Sequence, residues 1–518
     1  MTVCIGIEQM QVKLTRSKNA KRNIFFGIVN KIITLFFPFI IRTVIIKEIG
    51  ADYLGLSSLF VSVLQVLNIT ELGFSSAVVY SMYRPIAEND NETLCAILNF
   101  YRKVYAVIGL VIIVFGSLLI PFLPRLIKGS VPAEANIYLL YFVYLLATVA
   151  SYLLFAYKNS LLSAYQRTDV ISNINSLVQV FAFTIQFVLL VCTKNFLYYA
   201  IVLIFSSIIS SVFTEIASRK LFPDVVCHGK LNETVKSEIK KKVKGLLVNK
   251  LCQTSRNAFD SIVVSAFFGL KLTAMYNNYF YIMNAIAMLM GIIMSSILAG
   301  VGNSIVTETQ QKNYEDMKKI NFIYMWIGGW CTVCLLCLYQ PFTEFFFGRT
   351  MLLDFPAVIL FCIYFYVLKM GDIRGTYSDA RGLWWENRWR AVIEAGANIV
   401  LNIVFGKIFG IYGVIVATLI SLFFINFLWG STILYKYYFT EINVFEYYLH
   451  HLLYATATLV ACYVTFFIAA TVSVDGFIGI ILRLSVCVVI PNLIFVAFYA
   501  KFREFKIARE WLSQILKK

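Results

Sequence analysis

Charged residues are scarce in this sequence. Asp, Glu, Lys and Arg make up 14% of its 518 residues, hydrophobic residues make up 60%, and the mean hydropathy is +0.77. A soluble protein needs about a quarter of its residues charged to cover its surface. The deficit therefore excludes a soluble globular protein and predicts a polytopic membrane protein. The net charge of +17 does not indicate nucleic acid as a partner, because the basic residues collect in loops on one side of the predicted membrane.

Signatures of several other protein classes are missing. No Walker A sequence, G-x-x-x-x-G-K-[ST], occurs, which excludes an ATPase of that kind. The run Cys331, Cys334 and Cys337 lies in an apolar segment with no further Cys or His nearby, so we predict no metal site, no other cofactor and no disulfide framework. The first eleven residues do not resemble a cleavable signal peptide. The basic cluster after Met10 makes Met10 an alternative start to Met1.

Fourteen apolar stretches are long enough, at about 20 residues, to form transmembrane helices. A membrane barrel would instead show alternating segments of about ten residues, so we predict an all-α fold. The stretches lie at 24–46, 55–80, 102–124, 136–157, 171–192, 196–218, 246–268, 275–299, 320–340, 352–371, 390–408, 411–435, 446–470 and 477–499.

The only long polar connection, 219–245, divides the predicted helices into two halves. The predicted organisation is a cytoplasmic N-terminal segment (1–23), an N-lobe of six helices (24–218), a basic cytoplasmic linker (219–245), a C-lobe of six helices (246–435), a further helix pair (436–500) and a cytoplasmic tail (501–518). With the N-terminus inside, the inner and outer segments hold Lys and Arg in a ratio of roughly 33 to 7, as the positive-inside rule expects. Both termini are then cytoplasmic.

The two halves share an internal repeat. Residues 28–31 read IVNK and residues 247–250 read LVNK, so an offset of 219 residues superposes them, and the same offset places Gly50 on Gly269. Further on, Gln166–Arg167 lands on Asn387–Arg388. Because each half has an even number of helices, both enter the membrane from the same side as parallel repeats. Transporters built this way hold their substrate between the halves and rock one against the other.

Ionisable side chains within the membrane are expensive and normally face a cavity or a partner. Two lysines and an arginine against one nearby carboxylate suggest a basic chamber, which suits an anion such as pyrophosphate. Snorkelling to the headgroups is the alternative for these lysines. The predicted substrate-binding residues are Lys31, Lys250, Arg256, Asn30 and Asn249; the residues predicted to couple an ion or balance charge are Asp260, Glu71, Glu394 and Arg483; and Pro38 is a predicted hinge.

Three stretches resemble a known family. They are EIGADYLGLSSLF…ITELGFSSAVVYSMYRPIA over 48–87, LLSAYQRTDVISNI over 161–174 and EAGANIVLNIVFGKIFGIYGVIVATLIS over 394–421. Together they resemble the polysaccharide-transporter branch (Wzx-like lipid-linked oligosaccharide flippases) of the multidrug/oligosaccharidyl-lipid/polysaccharide exporter superfamily. The resemblance covers residues 20–500 and rests on loose patterns of Gly, Asn and small residues. It transfers no binding residue.

The resemblance implies two six-helix lobes around a central cavity and a role without catalysis. The implied act is moving an undecaprenyl-pyrophosphate-linked oligosaccharide across the bacterial cytoplasmic membrane by alternating access, driven by membrane potential or an ion gradient. The implied partners are that lipid-linked oligosaccharide, membrane lipids, a polysaccharide polymerase and glycosyltransferases. The alternatives are a cation-coupled drug or metabolite antiporter and a peptidoglycan-precursor flippase. A membrane glycosyltransferase would need a large outer loop or an acidic catalytic cluster, which the sequence lacks.

Overall fold

The structure, a computed structural model, describes the backbone of residues 2–68, 74–129, 131–132, 134–233, 236–237, 239, 254, 258–506 and 509, and the side chains among them from Arg22 onward except at 24, 74, 76, 77 and 299. Across these residues all regular structure is helical, which confirms the all-α prediction. Contacts divide the chain into two units, Met1–Thr254 and Ser255–Lys518.

Eight α-helices form the first unit. Helix α1 is joined to α2 by a sharp turn at Gly50, and α4 continues into a 3₁₀ turn at Ile120–Leu126. The helices are α1 (Thr2–Glu48), α2 (Ala51–Leu67), α3 (Phe74–Glu88), α4 (Asn91–Leu119), α5 (Ile137–Leu153), α6 (Lys158–Ala164), α7 (Thr168–Thr193) and α8 (Phe196–Leu221).

Nine further α-helices lie in the second unit, where a π-helical segment, Ser421–Trp429, joins α14 to α15. Helices α16 and α17, the predicted extra pair, pack against each other and against α11. The helices are α9 (Ala258–Phe268), α10 (Leu270–Thr307), α11 (Gln310–Phe347), α12 (Phe355–Met370), α13 (Asp372–Arg381), α14 (Arg388–Ile420), α15 (Gly430–Tyr437), α16 (Val444–Ala470) and α17 (Gly476–Tyr499).

Ten helical segments of the described chain are long and apolar enough to cross a membrane, and the bent pair α5–α6 makes an eleventh. One of the ten, Arg388–Tyr437, contains 50 residues and two predicted spans. It is broken at Gly410, whose φ of 65° and ψ of −145° are not helical. The second predicted span corresponds to two short helices, α2 and α3. The seventh is described only from Ala258. The chain is a multi-pass membrane protein.

The internal repeat is visible in the backbone. Gly50 and Gly269 both have positive φ, 115° and 88°, and each immediately precedes a helix. Gly129 and Gly348, separated by the same 219 residues, also have positive φ, 92° and 87°. These conformations are accessible almost only to glycine. The same turns therefore recur at the same places in both halves.

Helix starts repeat at the same offset. Asp90 caps α4 by accepting a hydrogen bond from the Thr93 N–H at 2.9 Å, and hydrogen bonds from Thr93 lower the pKa of Asp90. Thr309 caps α11 in the same way, accepting from the Lys312 N–H at 3.3 Å. A side-chain oxygen at this position satisfies an N–H that the first turn leaves without a helical partner. The repeat therefore preserves the chemistry of the cap although the residue differs.

The cysteine run of α11 lies in a packed helix interface. Cys334 and Cys337 both contact the thiol of Cys487 on α17, and all three are free thiols. In the described part of the chain, no group of three or more His, Cys, Asp or Glu side chains is placed to hold a metal ion. These cysteines act as small apolar residues that allow α11 and α17 to pack closely.

Substituting a repeated turn glycine should destabilise its unit. We expect Gly269→Ala and Gly348→Ala each to cost about 1–3 kcal/mol, because alanine is strained at these φ and ψ values although its Cβ would meet nothing within 4 Å. The measurement is the melting temperature of the purified protein in detergent.

The control for these variants is Gly291→Ala in the middle of α10, where the added Cβ also has open space and the backbone is helical. Its melting temperature should be unchanged or higher, since alanine favours a helix over glycine. Equal melting temperatures for all three variants would contradict a conformational role for the turn glycines.

Candidate functional site

Asn30 on α1 is used to bind α7. Its side-chain Nδ2 donates to the Ser176 hydroxyl at 3.1 Å and to the Ser172 carbonyl oxygen at 3.3 Å. One turn later, the Thr34 hydroxyl donates to Gln179 Oε1 at 3.1 Å. Interhelical hydrogen bonds of this kind hold transmembrane helices in register. The Asn30 amide nitrogen is therefore occupied by its own unit.

Lys31, the neighbour of Asn30, differs in its surroundings. Its side chain is half-buried on the flank of the face that contacts α7. Among the described residues it has no hydrogen bond, ion pair or aromatic partner, whereas Lys47, on the last turn of the same helix, is exposed. An unneutralised ammonium within a membrane span is costly. Lys31 is thus a charge that its own unit leaves without a counterion.

The other predicted residues of the basic chamber lie outside the described part of the chain: Lys250, Asn249 and Arg256, and with them Glu71. Pro38 is described, and it lies inside a helix that continues from Thr2 to Glu48. The structure therefore adds no break at this position, and the hinge remains a prediction.

Asp260 on α9 is at the centre of a fully buried polar cluster. Its carboxylate accepts hydrogen bonds from Asn402 Nδ2 at 2.6 Å, from the Thr418 hydroxyl at 3.0 and 3.1 Å, and from the Tyr276 hydroxyl at 3.0 Å. Asn398 extends the cluster by donating to Thr418 at 2.9 Å and accepting from Asn402 at 3.3 Å. All five side chains are at most 1% exposed. The cluster joins α9, α10 and both parts of α14.

This cluster is rich in oxygen ligands. Besides the carboxylate and the Thr418 hydroxyl, it contains Asn398 Oδ1 and Asn402 Oδ1, and the latter is buried without a hydrogen-bond donor. Carboxylate, amide carbonyl and hydroxyl oxygens suit hard cations. Chemically, the site can hold an ionised aspartate, a proton or a small cation.

Sequence reasoning identified Asp260 but missed its partners. Asn398, Asn402 and Thr418 lie in the stretch 394–421 that carries the family resemblance, and Asn398 and Asn402 are four residues apart on one face of α14. This i, i+4 pair of asparagines within an apolar helix was an available signal. Tyr276 on α10 offered none, because one tyrosine among many does not stand out.

Glu394 belongs to a second buried cluster in the same unit. Its Oε2 pairs with Arg390 Nη1 at 2.6 Å and accepts from Asn426 Nδ2 at 2.9 Å. Arg374 on α13 donates to the carbonyl oxygen and side chain of Asn426, within the π-helical segment, at 3.0 and 2.9 Å. A Cβ added at Gly430 would lie 2.6 Å from Arg374 Nη1. Glu394 therefore balances charge in a packed arginine cluster.

Arg483, the last predicted charge, contacts the end of a neighbouring helix. Its Nη2 donates to the Val472 carbonyl oxygen at 2.8 Å, just beyond the end of α16. Basic groups stabilise helix C-termini, where carbonyl oxygens lack partners. This contact gives Arg483 a structural use at one end of the α16–α17 pair.

A set of contacts that the sequence did not suggest fastens α1 to the start of α7. Asp169 pairs with Arg22 at 2.7 Å and with Arg167 at 3.1 Å, and its backbone N–H donates to Asn23 Oδ1 at 2.8 Å. The Asp169 side chain is 6% exposed. Opposite charges on these two helices are thus neutralised within the first unit.

No protein-family model and no curated protein matches the sequence. Solved structures do match. The inward closed conformation of the lipid II flippase MurJ covers 92% of this chain and 99% of its own, at a TM-score of 0.63 and 16% identity. An inward-facing multidrug resistance MATE transporter of the MOP superfamily covers 79% and 97%, at 0.62 and 14%. A MATE transporter from Vibrio cholerae covers 83% and 99%, at 0.59 and 12%. The chain thus has the fold of these MOP-superfamily flippases and transporters.

Proposed function

We propose that this protein is a flippase that moves an undecaprenyl-pyrophosphate-linked oligosaccharide from the inner to the outer leaflet of the bacterial cytoplasmic membrane, with both termini cytoplasmic. The observation that carries the proposal is Lys31. Its ammonium lies in a membrane-crossing helix with no counterion among the described residues. A pyrophosphate would supply the missing negative charge.

The contrast with other lysines and arginines strengthens this argument. Lys158, Lys369 and Arg390, which are buried or nearly so, each lie within 4 Å of a carboxylate of their own unit. A buried charge that lacks a partner costs several kcal/mol. Basic residues that serve packing are thus neutralised in place, and Lys31 is left for a ligand.

Transport would proceed by alternating access. In the inward-open state, Lys31 and the predicted partners Lys250 and Arg256 bind the pyrophosphate while the prenyl chain stays in lipid. Rocking of the two halves then exposes the sugar outside. Polymerase and glycosyltransferases that make and consume the lipid-linked sugar are the expected partners.

Asp260 is the proposed coupling site. In its buried cluster a cation would exchange hydrogen bonds from Asn402 and Thr418 for coordination by their oxygens, which requires the cluster to rearrange. A ligand shifts an equilibrium between conformations only as far as it binds one better than the other. Cation binding that favours one arrangement of α9 and α14 would couple an ion gradient to transport.

A second candidate function is flipping lipid II, because a lipid II flippase is among the matching structures and covers 92% of this chain. A drug antiporter is a third, favoured by the MATE structures, although those reported above cover 79% and 83% of the chain. An antiporter would depend on Asp260 and tolerate loss of Lys31. The two lipid substrates share a pyrophosphate and differ in the sugar.

Removing the charge of Lys31 should stop transport without harming the fold. We expect Lys31→Gln to abolish surface polysaccharide at unchanged protein level, and Lys31→Arg to retain part of it, because the cation that binds pyrophosphate is lost in the first and kept in the second. Lys250→Gln should behave like Lys31→Gln. The measurement is polymer on the cell surface, normalised to the amount of protein in the membrane.

The control is Lys47→Gln on the same helix, where the side chain is exposed at the predicted outer end. It should leave polymer levels unchanged. Normal polymer in both Lys31→Gln and Lys250→Gln would refute the anion site. Complementation separates the substrates: rescue of a strain lacking its lipid II flippase, but not of one lacking its oligosaccharide flippase, would assign the second candidate.

The Asp260 cluster should make thermal stability depend on the coupling cation. We expect Na⁺ or acidic pH, whichever ion couples, to raise the melting temperature of the purified protein by mass action. Asp260→Asn should remove that response, because the charge that attracts the cation is gone. Tyr276→Phe, which removes one hydrogen bond and keeps the carboxylate, should retain it. An identical response in Asp260→Asn and the unsubstituted protein would exclude Asp260 as the site.

A further inference from the structure

An apolar groove with a volume of about 570 Å³ runs between α10, α11 and α13 of the second unit. Both long helices are among the segments apolar enough to cross a membrane. Isoleucines form most of its walls: Ile293 and Ile297 on α10 and Ile320, Ile323 and Ile327 on α11.

The groove is long and narrow. Its lining extends from Ile293 to Ser304 on α10 and from Asp316 to Ile327 on α11, which is about 17 Å at the helical rise of 1.5 Å per residue. The volume then leaves a mean cross-section of roughly 34 Å², less than half of what a helix 10–12 Å across requires. An extended hydrocarbon chain fits this shape, and a partner helix does not.

One end of the groove is polar and positively charged. Ser304, Asp316 and Lys319 lie there, at the end that the predicted topology places on the inner side. Asp316 is shared by two lysines, Lys312 at 3.2 Å and Lys319 at 3.1 Å. Two ammonium groups on one carboxylate leave a net positive charge, which complements an anionic headgroup. The opposite end is closed by isoleucine alone.

Gly300 keeps the groove open. It lines the groove on α10, it is exposed, and a Cβ at this position would meet nothing within 4 Å. Any larger side chain would project into space that is free in the second unit. An apolar groove that stays empty forgoes the contacts of its lining atoms, so an occupant is favoured.

Building on the proposed function, we infer that this groove holds part of the polyprenyl chain of the lipid carrier, with the phosphate end toward Lys319. The groove supplies isoleucine contacts along one straight chain and a positive charge at the inner end, where the carrier's headgroup starts. It gives the carrier a chain-binding site separate from Lys31, so that chain and headgroup are recognised by different residues.

The test uses the full-length protein in phospholipid nanodiscs and an undecaprenyl phosphate that carries a photoactivatable diazirine on its chain. Labelling should map to peptides of α10 and α11. Gly300→Leu should reduce it about tenfold or more, the equivalent of removing only about two methylene groups from the groove. Ile323→Trp, which fills the groove from α11, should have the same effect. Excess unlabelled undecaprenyl phosphate should compete, and excess phosphatidylglycerol should not.

Gly302→Leu is the matched control, because this α10 glycine also has open space around its Cβ and does not line the groove. It should label like the unsubstituted protein. Equal labelling in Gly300→Leu and Ile323→Trp, or competition by phosphatidylglycerol as strong as by undecaprenyl phosphate, would overturn the inference. Lys31→Gln separates the two proposals: if it abolishes polymer while the groove variants label normally, only the groove is wrong, and normal polymer with groove-dependent labelling would refute the headgroup site alone.

Discussion

In a hydrocarbon environment a polar side chain must find its partner within the protein, and this requirement determines how the helices of each unit pair. In the first unit, Asn30 on α1 meets Ser176 on α7. In the second, Asp260 on α9 meets Asn402 on α14. Each contact joins the first helix of a repeat to its fifth. A shift of either helix would strand a buried polar group, so these few bonds set the register of otherwise featureless apolar surfaces.

The repeat makes the difference between the two units informative. At the offset of 219 residues, Asp260 corresponds to Ile41, which is 4% exposed in α1. The same helix pairing is therefore stable with an apolar residue at this position, and packing alone does not require an acid. A buried carboxylate is costly unless several donors satisfy it, and here Asn402, Thr418 and Tyr276 do so. Such an investment in one half alone argues for a task that the other half does not perform.

Hydropathy predicted most helices because an apolar run of sufficient length has few other solutions in a membrane. It did not separate α2 from α3, nor predict the break at Gly410, because both depend on local backbone conformation rather than on polarity. The offset found Gly50 and Gly269, and the structure added Gly129 and Gly348, whose surroundings in the sequence differ. Asn30 illustrates the main limit for the site: its residue type suggests a ligand, but only packing reveals that its Nδ2 is bound to α7.

Lys31 and the groove on α10 were differently accessible for the same reason. A lysine in an apolar run is visible in one dimension, whereas a groove arises from how Gly300 and the isoleucines of α11 face each other. Both features are positions where the unit leaves an interaction incomplete, one a positive charge and the other an apolar surface. An amphipathic anionic lipid offers both missing elements, a phosphate and a hydrocarbon chain. One substrate class thus accounts for two separate features that packing alone does not explain.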